Sequence, residues 1–112
     1  PGDLAPGKPG ILCTSDLEPL GSVTRQEAHR GLFVATWSLS ETAPALRERI
    51  LTLPAVDGAG AYLIAYQSDF GGVDNTRFFD VWRETKTGIR WTHSEIAHMP
   101  SNYYLFGRGT ER

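Results

Sequence analysis

Arg77-Phe78-Phe79-Asp80-Val81-Trp82-Arg83-Glu84, then Thr85-Lys86-Thr87-Gly88, then Ile89-Arg90-Trp91-Thr92-His93-Ser94-Glu95-Ile96-Ala97-His98: how this stretch is read decides the fold. Two runs rich in aromatic and β-branched residues flank a polar turn that ends in glycine, the pattern of a β-hairpin. The register depends on one residue. A loop of Thr85 to Gly88 sets Trp82 opposite Trp91 and Asp80 opposite His93, whereas a loop of Lys86 to Gly88 sets Glu84 opposite Arg90 and Trp82 opposite Thr92. The first register makes a stacking platform of Trp82, Trp91 and Phe78 beside an Asp80–His93 pair. That platform is the candidate binding surface. Most tryptophans in a small β domain serve packing, so the competing assignment puts both rings in the core and the charges at its rim.

The same stretch offers a catalytic alternative. On a strand, His93 and Glu95 point the same way, about 7 Å apart, and His98 points the other way. This suits a general acid–base pair in a metal-independent nuclease or hydrolase, with Arg90 or Arg77 neutralising a phosphate. It does not suit a zinc site, because the only cysteine is Cys13 and no HExxH helix is present. A weaker metal alternative is the Asp69–Asn75 loop, where Asp69, Asp74 and Asn75 could ligate calcium, although the spacing departs from an EF-hand. The simpler assignment is a turn whose Asp and Asn bond the local backbone. No cofactor is expected.

Outward from this centre, the chain divides into three parts. Residues 1–10 hold three prolines and three glycines, which suits a linker or tail rather than a packed element. An N-terminal proline can also serve as a catalytic base, but the glycines and prolines that follow break the strand such enzymes need. Residues 11–106 form the expected domain and 107–112 a polar tail. Ile11-Leu12-Cys13 suggests an edge strand. Leu32 to Leu39 reads as a strand whose Phe33, Ala35, Trp37 and Leu39 face the core, with Leu32, Val34, Thr36 and Ser38 on the other side. His29 reads as a solvated residue at the strand entry. Thr42 to Leu53 is the one expected helix, with Thr42 as N-cap and Pro44 in the first turn. Tyr62 to Gln67 is apolar on both faces and belongs in the middle of a sheet. Tyr103 to Phe106 closes the fold.

Short strands with glycine- and proline-bearing turns predict a mostly β protein, an antiparallel sandwich or partly open barrel. The alternative is an α+β arrangement with the 42–53 helix packed on an antiparallel sheet. A parallel sheet is not expected, for lack of crossover helices.

Composition bounds the function. The chain of 112 residues, 40% hydrophobic and 21% charged, fits one globular domain without staples. A net charge of −2 argues against a nucleic-acid binder relying on bulk positive charge, although a local arginine patch stays compatible with it. No apolar run reaches the ~20 residues of a membrane span. The chain starts at Pro1, which suggests a segment excised from a longer protein. The expected function is therefore a non-enzymatic binding module that takes a glycan or protein partner on an aromatic, charged sheet surface. A carbohydrate-binding module and the protruding domain of a viral capsid protein are two instances, the second of which pairs with its own copy.

Overall fold

A computed structural model describes residues Leu17 to Thr110. The expected linker at 1–10, the expected edge strand at Ile11–Cys13 and the last two residues lie outside the described residues. The elements follow in the order of a short 3-10 turn (Glu18–Ser22), α1 (Arg25–Ala28), β1 (Leu32–Thr36), α2 (Pro44–Thr52) and α3 (Pro54–Asp57). Then come β2 (Ala61–Gln67), β3 (Asp69–Phe70), β4 (Val73–Asp74), α4 (Asn75–Glu84), β5 (Ile89–Glu95) and β6 (Asn102–Gly109).

The first half of the opening stretch is helix, not strand. Asp74 accepts a hydrogen bond from the Arg77 backbone N–H at 3.0 Å and so caps α4. Phe78, Phe79 and Trp82 then fall on one side of the helix, with Phe79 fully buried and Val81 left exposed. The expected hairpin across Thr85–Gly88 does not exist. β5 instead pairs antiparallel with β6, matching Trp91 to Gly107 and His93 to Leu105.

The main sheet has the order β1-β2-β6-β5, with β1 and β2 parallel and the other pairs antiparallel. The mostly β sandwich or barrel is thus overturned, and a one-helix α+β plan on an antiparallel sheet falls short as well. The fold is mixed α/β. α2 and α3 form the crossover that a parallel pair needs, and α4 carries the chain from β2 to the far edge. Pro44 opens α2 at a position where its missing N–H costs nothing. The N-cap is Ala43 rather than Thr42, whose hydroxyl donates to the Ser38 carbonyl at 2.7 Å.

All the helical packing falls on one sheet face. Tyr62, Ile64 and Tyr66 of β2 are completely buried there, against Leu51, Val56 and Phe79 from α2, α3 and α4. Tyr62 donates its hydroxyl to the Val56 carbonyl at 2.6 Å, tying α3 to the sheet. Gly107 leaves room for the Trp91 ring, which a Cβ at that position would meet at 2.4 Å. Gly60 lets two backbones touch, its missing Cβ falling 2.0 Å from the His29 carbonyl oxygen. Among the described residues, no helix packs on the other face of the sheet.

Candidate functional site

Trp82 and Trp91 do meet, but as helix against sheet rather than across a hairpin. Their rings are 5.2 Å apart at 62°, and both pack on Tyr62, at 5.3 and 5.5 Å. With Phe78, which carries the buried Arg47 guanidinium 4.8 Å over its ring, they flank the core. Trp82 meets Tyr62 and Trp91 edge-on and Trp91 lies tilted on Tyr62, so these rings pack on one another rather than lying side by side.

His93 lies on the helix side of β5 at the sheet edge. Its Nε2 is 2.7 Å from the Tyr66 hydroxyl, and its ring stacks on Tyr103 at 4.9 Å. Burial pushes the Tyr66 phenol up to about 12, and Asp80 adds to the effect. Arg83 and the Thr76 hydroxyl act on the same phenol in the opposite direction. Which of the Tyr66 hydroxyl and the His93 Nε2 donates is set by the His93 tautomer. Desolvation, followed by the Arg83 charge, lowers the His93 pKa against the opposing pull of Asp80. Asp80 itself is paired with Arg83.

The proposed catalytic set is divided. Glu95 shares the His93 side, but its Oε2 accepts from the Ser101 backbone N–H at 3.0 Å. Arg90 points to the opposite face of the sheet. His98 lies in the exposed turn between β5 and β6, and Arg77 is on α4.

The Asp69–Asn75 segment is a tight two-stranded ribbon turning on Gly71 and Gly72, both at positive φ. Asp69 faces Asp74 across it, and Asp74 is occupied as the α4 cap. Asn75 is fully buried and donates to the Ser40 and Gln67 carbonyls. Among the described residues, no group of three His, Cys, Asp or Glu side chains could hold a metal ion.

A different surface has the character of a binding site. On the uncovered sheet face, Leu32 is 56% exposed, Val34 52%, Tyr104 43% and Phe106 43%. Tyr104 and Phe106 stand two residues apart on the central strand β6, about 7 Å along it. Directly across on β5 are the exposed hydroxyl residues Ser94 and Thr92. Trp37 closes one end of this face. It adopts φ 65°, a left-handed backbone that a bulky residue rarely takes, and its indole N–H donates to Asn102 at 2.8 Å. To reach from β1 to β6 the indole must cross β2, and Ala65, which points to this side, is 1% exposed.

At the other end the face becomes basic. Arg90 and Arg108 are cross-strand neighbours, and with His29, Arg30 and Leu32 they line an open cleft of roughly 890 Å³. Neither these arginines nor Arg30 has an ion pair among the described residues. The carboxylates Asp57 and Asp80 serve Arg25, Lys86 and Arg83, away from this face. No strand position on the open face carries a carboxylate, and Glu41 reaches only Gln67 at the Trp37 end.

Sequence reasoning missed Trp37, Tyr104, Phe106, Arg108, Arg30 and His29 as members of one surface. The signal was present in part: Tyr104, Phe106 and Arg108 alternate along one strand, and Leu32 and Val34 already fell on the mixed side of β1. No protein-family model matches the chain, and no curated protein or solved structure is similar to it.

Proposed function

We propose that this chain is a non-enzymatic binding module that takes its ligand on the open face of its sheet. One observation carries the reading: exposed rings and aliphatic side chains lie side by side there, ending in arginines that have no ion pair among the described residues. Contiguous apolar surface on one side of a small domain marks an interaction site more often than it marks chance. A glycan would stack on Tyr104 and Phe106, and a protein partner would cover Leu32 and Val34 as well.

The enzyme alternative needs His93 and Glu95 as an acid–base pair, whereas His93 is hydrogen-bonded to Tyr66 and Glu95 to the Ser101 backbone. His93 lines neither the basic cleft nor the two smaller clefts beside α2–α4 and the β3–β4 ribbon. Its partner Tyr66 is a buried structural residue.

A paired test separates the two. Binding of glycan and oligonucleotide panels to the full chain should be lost in a Tyr104→Ala, Phe106→Ala double variant whose melting temperature is unchanged. His93→Ala should leave that binding intact. Hydrolysis of RNA or another substrate that vanishes with His93→Ala in a folded protein would instead establish the enzyme.

A further inference from the structure

We infer that the ligand of the open face is a single strand of nucleic acid, RNA in particular. This inference rests on the proposed binding role of that face and names its ligand. The first argument is charge. Arg90 and Arg108 sit opposite one another on β5 and β6, an arrangement that repels unless an anion lies between or above them. Arg30 lines the same cleft, and no carboxylate of the described residues pairs with any of the three. An arginine fork fits a phosphate oxygen pair, and several forks in a row fit a phosphate chain.

The second argument is the rings. Tyr104 and Phe106 present themselves beside the arginines, spaced about 7 Å along one strand. Successive unpaired bases splay out at such a spacing and stack on aromatic side chains, as in sheet-surface RNA binders. A double helix offers no such bases. The third argument is the row of hydroxyls. Thr92 stands across from Phe106 and Ser94 across from Tyr104, so each stacked nucleotide has a hydroxyl beside its ring platform. A serine or threonine hydroxyl both donates and accepts, which matches the 2′-hydroxyl that separates RNA from DNA. Trp37 bounds the track at its far end and limits it to a few nucleotides.

The described strand positions of the face carry no carboxylates with which to pair the arginines of a second copy. A face-to-face pair would bury Arg90 and Arg108 without carboxylates. The net charge of −2 does not oppose the assignment, because the paired acidic residues Asp57 and Asp80 lie with the helical layer.

The test is fluorescence anisotropy of the full chain with a labelled oligo(U) strand about a dozen nucleotides long. Oligo(dT), duplex RNA and inorganic polyphosphate serve as comparison probes. The expected result is binding of oligo(U), weakened roughly tenfold by Tyr104→Ala and by Phe106→Ala in variants with unchanged melting curves. The slope of log affinity against log salt should fall by about 0.7 for each of Arg90→Thr and Arg108→Thr. Oligo(dT) binding as tight as oligo(U) would overturn the RNA assignment. Polyphosphate binding as tight as oligo(U), indifferent to the ring variants, would reduce the site to an anion cleft and overturn the strand reading. No bound strand, with a sedimenting dimer that Tyr104→Ser and Phe106→Ser dissociate, would overturn the inference and leave the binding face standing. No strand, glycan or second copy bound would overturn both.

Discussion

His93 sits where two tyrosine rings and two charges converge, and its titration follows from that setting. Tyr66 and Tyr103 flank the ring, and Asp80 and Arg83 act on it from α4. Burial is the largest effect and lowers the folded pKa below 6.5. As pH falls past 6.5 the unfolded chain takes up the proton first, so folding weakens between that point and the folded pKa, then levels off. We expect the melting temperature to drop from about pH 7.5 to about pH 5, and His93→Gln to remove part of that drop. An unchanged slope in the variant would mean that His93 does not contribute. The ring is exposed at the sheet edge, so its share is smaller than that of a fully buried histidine. At this scale the sequence identified His93 and Asp80 as neighbours, but for a reason that proved wrong: a helix lies over a strand where a hairpin was expected.

At the scale of elements, α4 shows why the stretch misled. Phe78, Phe79, Val81 and Trp82 are good strand residues, and alternation splits them plausibly between two faces. The same residues also satisfy the spacing of a helix. Asp74 favours the helix locally, its side chain satisfying an N–H that the first helical turn would otherwise leave unpaired. Asp74→Ala should therefore destabilise the protein by about 1 kcal/mol in chemical denaturation. The Asp74-Asn75 pair before the aromatic run is the legible signal, although in sequence it reads as a local turn, with calcium as the weaker alternative. β6 was legible only in outline: Tyr103 to Phe106 was expected as a strand, but its continuation to Gly109 brings Arg108 opposite Arg90. Glycines at 107 and 109 resemble a tail in sequence. In the fold, Gly107 is the space that Trp91 fills.

For the whole molecule, the consequence of two crossovers on one side is a sheet with one covered and one open face. Like charges facing each other on the open side should cost stability when no anion is bound. Arg108→Thr should accordingly raise the melting temperature in low salt, with the gain fading as salt screens the Arg90–Arg108 repulsion. A lower melting temperature at every salt concentration would show that Arg108 is held by an attraction rather than strained by repulsion. The pairing of β5 with β6, and hence the open face, lies beyond the reach of local pattern. Leu32 and Val34 could equally have been covered by a second sheet in a sandwich, and only the placement of α2, α3 and α4 on the opposite side leaves them uncovered.

The sequence by itself determined the local matters: a central strand at 62–67 apolar on both sides, a first strand with Phe33 and Ala35 facing the core, and a helix that has Pro44 in its first turn. These follow from side-chain periodicity and backbone restriction, which act within a few residues. Only the tertiary structure decided that 75–84 is helix, that β5 pairs with β6 rather than folding back on its predecessor, and that Arg30, Arg90 and Arg108 share one cleft with Tyr104 and Phe106 nearby. The physical reason is that aromatic and β-branched residues fit either a strand or the buried side of a helix. The choice is made by what they pack against, and the partners of this stretch, Tyr62 and Gly107, are remote in sequence.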